Sequence, residues 1–292
     1  MKNILSTIIN LSDNELEEYV KSLVDLCDES SIKNPVIGMQ YYKYHKGFIG
    51  FDTKVSYGSD YFYDYSMKDY EMYIDFFKSL KKQNGKQENL DLNYLLNIIY
   101  SYVVKYFQSE KEILKNPNIS IMRDQIVMNY LESIAKDPND DEEWIKNKNE
   151  LNISVFKGQG VAMCSERAAL AQNLLSLFGI ESYFCGGMVT KNELENCDGH
   201  AFNFIRFDGR NYILDFSLPV YLYEGNEKVT CLPFISEISD NSSNELLKNK
   251  SLIPINNYHF EKVDGEMVKQ IEDDERIYGV GMLEMKEEKI VR

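Results

Sequence analysis

An Asp-Gly pair, Asp208 and Gly209, separates two runs of strand character, HAFNFIRF and RNYILDFSLPV. Because Asp and Gly adopt positive φ angles readily, the pair predicts a β-hairpin closed by a two-residue type I′ turn. Such a turn pairs Phe207 with Arg210, and the register of both strands follows by counting back from that pair. The second half of the chain is therefore expected to contain an antiparallel sheet.

The first half of the chain carries helical periodicity instead. Four segments repeat apolar residues at helical spacing, namely 12–27, 66–82, 89–107 and 120–136. Ser12 and Glu15 stand at capping-box spacing where the first of these segments begins. Segment 41–65 is rich in Tyr and Phe with glycines at turn-like intervals, which favours short strands or an extended loop. Helices followed by strands predict an α+β fold with a mostly helical N-terminal region.

The charge balance limits the partners that the chain can take. It has 32 Lys and Arg against 47 Asp and Glu, a formal net charge of -15. A surface of that sign repels nucleic-acid phosphates and anionic lipid headgroups, so neither nucleic acid nor a membrane is expected as a partner. The N-terminal stretch has only a short apolar run, broken by polar residues, and predicts neither a signal peptide nor a spanning helix. A cytoplasmic location is expected, with unconventional export left open.

The five cysteines do not form the pattern of a disulfide framework, because their number is odd and they are spread widely along the chain. One of them, Cys164, precedes a broad apolar helical stripe that ends at Gly179, where an αL cap is expected. A helix is therefore predicted to begin at or just after Cys164, where backbone N–H groups and the helix dipole stabilise a thiolate. Glu166 would oppose this if it faced the sulfur, and a buried, inert cysteine is the alternative.

His200 and Asp215 can complete a catalytic group with this cysteine. In the hairpin register His200 lies opposite Ser217, and since side chains alternate between faces, Asp215 becomes a diagonal neighbour of His200. A turn of another length would break this register and leave His200 an ordinary surface residue near an acid. A nucleophile at a helix start, a base on one strand and a carboxylate on the next are the parts of a Cys-His-Asp triad.

As a set and in this order, these residues resemble the core motif of the transglutaminase-like superfamily of papain-like fold. The matching elements are the approach GVAMC ending at Cys164, the helix end LLSLFGI, the strand ESYFCGGMV, the HAF at His200 and the YILD ending at Asp215. The resemblance covers about residues 158–220. It implies a core in which the helix carrying the cysteine packs on an antiparallel sheet.

The sequence also departs from the family pattern. Phe202 stands where Trp is usual after His-Ala, Ala162 and Met163 lengthen the approach from glycine to cysteine, and Phe216-Ser217 follows the aspartate where Pro-Thr is common. No departure removes a member of the triad. The differences therefore bear on substrate specificity more than on chemistry.

The resemblance divides the chain into three parts. A transglutaminase-like catalytic core is expected at 89–235, preceded by a helical and aromatic-rich elaboration at 1–88 and followed by a C-terminal extension at 236–292. It also implies a protease, deamidase or transamidase that attacks an amide of a peptide or protein through an acyl-enzyme, with water or a small amine as acceptor. Gln159 is a candidate second oxyanion donor beside the backbone N–H of Cys164, while an ordinary surface role is the alternative.

Other patterns suggest metal or cofactor chemistry and lack essential parts of it. Cys197 and His200 stand at C-x-x-H spacing with Cys185 upstream, but a structural zinc site needs four spaced ligands and no second pair is present. The start GQGVAM is similar to a dinucleotide-binding loop, except that Met163 stands where the motif has glycine. No metal and no cofactor are therefore expected.

Two alternatives to an enzyme acting on amides stay open. Arylamine N-acetyltransferases also order Cys, His and Asp after a helical N-terminal region, so the chain could be a thioester-dependent N-acyltransferase, although their Arg-Gly-Gly approach is absent. The second alternative is a catalytically inactive module of the same fold that holds a peptide with segment 41–65. Cross-strand packing is the commoner use of such aromatic residues. The sequence names neither the substrate nor the acyl acceptor.

Overall fold

The computed structural model describes residues 2–29, 34–37, 48–49, 52–54, 64–66, 69–83, 92–108, 118–134, 150–191, 198–224, 227–238, 240, 252–255, 267–269 and 276–279. The helices are α1 (Lys2–Asn10), α2 (Asp13–Glu29), α3 (Tyr70–Gln83), α4 (Leu92–Phe107), α5 (Ile119–Ile134) and α6 (Cys164–Leu177), with a 3₁₀ helix at Ile153–Phe156. The strands are β1 (Asn34–Ile37), β2 (Phe48–Ile49), β3 (Asp52–Lys54), β4 (Asp64–Ser66), β5 (Glu150–Asn152), β6 (Glu181–Lys191), β7 (Asp198–Phe207), β8 (Arg210–Glu224), β9 (Glu227–Ile238), β10 (Leu252–Ile255), β11 (Met267–Lys269) and β12 (Arg276–Gly279). The fold is α+β, which confirms the predicted class.

The main sheet is built around an antiparallel meander. In it β6 pairs with β7, β7 with β8 and β8 with β9, all antiparallel. On the far side of β6 the sheet continues through β12 to β10, both in antiparallel pairing, while β1 joins β6 in parallel. β11 pairs with the last part of β8, and a smaller sheet consists of β3, β4 and β5. The β7–β8 hairpin thus lies between neighbouring strands rather than at a free edge.

The hairpin turn has the predicted geometry. Asp208 and Gly209 have φ angles of 49° and 73°, as a type I′ turn requires, and Phe207 pairs with Arg210. The β7–β8 pairing extends from there to Asn203 opposite Leu214. The predicted opposition of His200 and Ser217 lies beyond that last pair.

β8 leaves the regular ladder just after this point. Its register against β9 shifts between Asp215 and Pro219. Two local features explain the irregularity: the Ser217 N–H donates to the Asp215 side chain, at 2.8 Å, and Pro219 has no N–H to donate. The bulge therefore starts at the carboxylate that the sequence singled out.

Local signals placed the first helices correctly, with one shift. Ser12 caps α2 as predicted, since its N–H donates to Glu15 Oε2 at 2.7 Å and the Glu15 N–H donates back to its hydroxyl. The helix predicted at 66–82 begins later, at Tyr70, because Ser66 ends β4 and Asp69 Oδ1 accepts the Met72 N–H at 3.3 Å. Most of segment 41–65 lies outside the described residues.

Helix α6 is the centre of the hydrophobic core. It packs against β6, β7 and β8 as well as against α2 and α4, and 12 of its 14 residues are buried. It ends in a Schellman motif, as Gly179 has a φ of 69° and the Ile180 N–H reaches the Leu175 carbonyl at 3.2 Å. Buried side chains of α1, α2 and α3 belong to the same hydrophobic cluster as those of the sheet. Within the described residues no helix has the length and apolarity to cross a membrane.

Candidate active site

A glycine-containing loop brings the chain to the start of α6. Gly158 and Gly160 have φ angles of 71° and 70°, a backbone conformation that residues with a Cβ rarely adopt. Their N–H groups donate at 2.9 Å to the carbonyls of Tyr106 and Phe107, the last residues of α4. Terminal carbonyls of a helix have no partner inside the helix, so the loop satisfies them and is held in return. The position of Cys164 is therefore tied to the end of α4.

Cys164 is the first residue of α6, as predicted, and is half-buried. Glu166 in the same turn does not act as an isolated anion near the sulfur. Its Oε2 accepts the Met163 N–H at 2.8 Å, and its Oε1 accepts from Nη2 of Arg123 on α5 in a fully buried ion pair. Arg123 also lies over the ring of Phe156, 5.2 Å from its centroid. Arg123 thus compensates the charge of Glu166, which still acts to raise the pKa of the Cys164 thiol, as predicted.

His200 and Asp215 form the contact that the hairpin spacing suggested. His200 Nε2 lies 2.7 Å from Asp215 Oδ2, and the Asp215 side chain is fully buried. The other carboxylate oxygen, Oδ1, accepts the Ser217 N–H at 2.8 Å. Because an ionised carboxylate only accepts hydrogen bonds, Nε2 carries a proton toward it, which leaves Nδ1 as the ring nitrogen for the Cys164 thiol. The His200 ring is nearly parallel to the ring of Phe202, with an angle of 17° between the two planes.

The electrostatics of the site favour a thiolate beside an imidazolium. Burial raises the pKa of the Cys164 thiol, but the charge and hydrogen bond of His200 and the backbone N–H of Ala201 outweigh it, and the net pKa is lowered. Burial likewise lowers the pKa of His200, yet the charges of Asp215 and Cys164 and their hydrogen bonds raise it to about 10. Both shifts stabilise the charged form of each partner.

The second cysteine with a described side chain has the opposite character. Cys185, in the middle of β6, is buried, and burial raises the pKa of its thiol strongly, with only a partly compensating contribution from the backbone of Phe204. The remaining cysteines, Cys27, Cys197 and Cys231, have no described side chains. In the described part of the chain no cluster of His, Cys, Asp and Glu is arranged to hold a metal ion, and Cys197 of the zinc alternative lies outside it.

Gln159, the candidate second oxyanion donor, lies in the approach loop between the two glycines. Its side chain is exposed, and its backbone N–H donates to the Phe156 carbonyl at 3.2 Å. The structure brings Cys164, His200 and Asp215 together, whereas Gln159 remains a surface residue beside them.

Sequence reasoning missed two buried arginines next to the site. Arg123 pairs with Glu166, and Arg167 lies one helical turn after Cys164 with 1% exposure. A signal for Arg167 was present, because it is a charged residue in a helix whose other positions are mostly apolar. No local sequence signal pointed to Arg123, because its partner, Glu166, is 43 positions away.

No protein-family model, curated protein or solved structure matches this chain. The functional inference therefore depends on the geometry of the site.

Proposed function

We propose that the chain is a transglutaminase-like cysteine enzyme that acts on amide bonds through Cys164, His200 and Asp215. One observation carries the proposal. The imidazole of His200 bonds to the buried carboxylate of Asp215 through Nε2, at 2.7 Å, and also hydrogen-bonds the half-buried thiol of Cys164 at the start of a helix. A histidine placed between a nucleophile and an orienting acid is the arrangement of a catalytic triad.

The surrounding fold supports the same assignment. The helix that begins at Cys164 packs on the antiparallel strands β6, β7 and β8, and the chain order is Cys, His, Asp. A papain-like core has a helix carrying the cysteine on such a sheet, as the sequence resemblance implies. Residues 89–235 would form this core, and the N-terminal helices would be additions that pack on it.

Acylation would begin with attack of the Cys164 thiolate on an amide carbonyl. The new S–C bond forms while the C–N bond breaks, and the imidazolium of His200 gives its Nδ1 proton to the leaving amine. Asp215 keeps Nε2 protonated throughout and so holds the ring in one tautomer and orientation. The products of this step are an acyl-enzyme and a free amine.

Deacylation would reverse the proton transfer. Water or a primary amine loses a proton to neutral His200 as it attacks the thioester carbonyl, and the thiolate leaves. Water gives hydrolysis or deamidation, and an amine gives transamidation. The backbone N–H of Cys164, in the first turn of α6, would donate to the oxyanion in both steps, and Gln159 is the candidate second donor.

The acidic surface bears on the substrate. With a formal net charge of -15, the protein would receive a neutral or basic peptide segment better than an acidic one. We therefore propose a peptide or protein substrate without a run of acidic residues, with a small amine as an optional second substrate.

The direct test is incubation with a library of glutamine-containing peptides, with and without a primary amine, followed by mass measurement. Cleavage, a deamidation shift or amine addition supports the proposal and identifies the acceptor. Cys164→Ala must abolish the product, while Cys185→Ala, which removes the buried thiol of β6, must retain it. If wild type gives none of these products but transfers an acyl group from a thioester donor to an amine, the N-acyltransferase alternative replaces the proposal.

A second test separates an enzyme from an inactive binding module. Alkylation of the folded protein below about pH 7, followed by peptide mapping, should modify Cys164 much faster than Cys185, and His200→Ala should slow the reaction at Cys164. Equal and slow modification of all five cysteines would contradict the triad.

A further inference from the structure

Arg167 lies directly beside the candidate nucleophile. Residues three apart on a helix are neighbours, and helical side chains lean toward the N-terminus, so Arg167 reaches back along α6 toward Cys164. Its side chain is buried, with 1% exposure. Nε donates to the Ala162 carbonyl and Nη1 to the Phe216 carbonyl, both at 3.4 Å. The guanidinium therefore joins the loop that leads to Cys164 with the residue that follows Asp215.

The charges around Arg167 show why a buried cation is stable there. In the proposed reactive state the thiolate and the carboxylate of Asp215 are negative and only the imidazolium of His200 is positive, so the triad carries one net negative charge. Glu166 does not alter this sum, because Arg123 pairs with it. Buried charge is costly unless it is compensated, and Arg167 supplies the missing positive charge.

We propose that Arg167 is a positioning residue of the active site, which holds the nucleophile loop against the strand of Asp215 and compensates the net negative charge of the triad. This inference rests on the proposed function, because the charge sum assumes a thiolate at Cys164.

The groups that face the guanidinium come from several elements. They are Tyr100 on α4, Asp215 on β8, and Cys164 and Glu166 on α6 itself, with His200 on β7 bonded to two of them. Burial lowers the pKa of Arg167, and these groups act in the opposite direction. Since an arginine in water titrates above about pH 12, the side chain keeps its charge.

The test compares Arg167→Met, which keeps the stem and removes the charge, with Arg167→Lys, which keeps the charge. The measured quantity is the pH dependence of Cys164 alkylation. Arg167→Met should raise the apparent pKa of the thiol by about one unit, which slows alkylation about tenfold at any pH below the wild-type pKa. Arg167→Lys should stay within about threefold of wild type. Arg206→Met, which removes an arginine paired with Glu181 near the surface, is the matched control and should leave the profile unchanged.

If folded Arg167→Met has the wild-type profile, while wild type itself alkylates rapidly at low pH, the inference is wrong and the proposed function stands. If wild type lacks rapid alkylation, the proposed function fails instead.

A stability measurement covers the case in which Arg167→Met does not fold. Asp215→Asn removes the uncompensated negative charge, so the double variant Arg167→Met/Asp215→Asn should fold, and Arg167→Met should lower the urea midpoint less in that background than in wild type. Failure of the double variant to fold while Asp215→Asn folds would overturn the charge compensation, and so would an equal loss in both backgrounds.

Discussion

Cys164 and Cys185 lie in consecutive elements of the same core, and burial raises the pKa of both thiols. Their net shifts have opposite directions. Cys164 stands at the start of α6, where the His200 ring and the Ala201 N–H reach its sulfur. Cys185 stands in the middle of β6, where its sulfur meets the Tyr183 carbonyl at 3.9 Å. Partners, not burial, decide the direction in which the pKa of each thiol shifts.

The sheet makes the contrast sharper. Cys185 pairs with Phe202 across β6 and β7, and His200 is only two residues away on β7, where it pairs with Gly187. Paired residues and residues two apart on a strand share a face of the sheet, so Cys185 is a diagonal neighbour of His200, and yet burial and not His200 sets the pKa shift of its thiol. Cys164 reaches His200 from a different layer, because α6 packs on the sheet.

The largest expected effect comes from exchanging the two cysteines for alanine, one at a time. Cys164→Ala should reduce kcat on an amide substrate by on the order of 10⁴-fold or more, because no covalent intermediate can form. Cys185→Ala should leave kcat unchanged and reduce the free energy of unfolding by about 1 kcal/mol through the small cavity. Steady-state kinetics measure kcat for the two variants, and urea unfolding measures their free energy of unfolding. Loss of activity in Cys185→Ala with normal stability would remove the distinction between the two thiols.

Substitution of the orienting acid, Asp215, should give the next largest loss of activity. Asp215→Ala should reduce kcat about 10³-fold, because it leaves Nε2 without its acceptor and the tautomer undetermined. Asp215→Asn keeps the geometry but can stabilise the other tautomer of the imidazole, so its loss should be at least as large, up to about 10⁴-fold. Both variants should also bring the alkylation rate of Cys164 near pH 6 closer to that of Cys185. A fully active Asp215→Ala with unchanged alkylation would show that the carboxylate has no part in the chemistry.

The pH dependence separates the thiols further. The pKa of His200 is raised to about 10, and that of Cys164 is lowered, so alkylation of Cys164 should persist below the range of an ordinary thiol. The raised pKa of His200 also makes the free energy of unfolding depend on pH. Because the folded pKa of His200 exceeds its unfolded value of about 6.5, its contribution is complete below that pH and is lost as the pH rises toward about 10.

The measurement is the free energy of unfolding of Cys164→Ala and of Cys164→Ala/His200→Asn across this interval, because the lowered pKa of Cys164 gives wild type an opposing pH dependence. The difference between them should be largest at the acid end and shrink toward the alkaline end. A difference that grows with pH would mean that the native imidazole is not held protonated. Adding Cys185→Ala to both variants should leave this trend unchanged, since that thiol takes no part in the pair.

The smallest effect tests the hairpin rather than the thiols. Gly209 has a φ of 73°, and a Cβ added to it would meet no atom within 4 Å, so Gly209→Ala introduces backbone strain and no clash. We expect a loss of about 1 kcal/mol in unfolding free energy with an unchanged alkylation profile at Cys164. Thermal unfolding beside alkylation kinetics checks this. A changed profile would mean that the turn also controls the position of His200.

Local sequence signals anticipated much of the fold and most of the site. The capping box at Ser12, the start of α6 at Cys164, the Schellman glycine at Gly179 and the two-residue hairpin turn are confirmed. Each depends on residues within a few positions of one another, so a short stretch of sequence contains its cause. The catalytic role of the triad stays a prediction.

The sequence by itself determined the hairpin register from Phe207–Arg210 to Asn203–Leu214, because a hairpin register follows from its turn. Only the tertiary structure decided how the charges are balanced. Arg123 neutralises Glu166 from 43 positions away, and Arg167 reaches the Phe216 carbonyl 49 positions away. Compensation of buried charge depends on which distant elements share one core, and packing, not local pattern, brings those elements together.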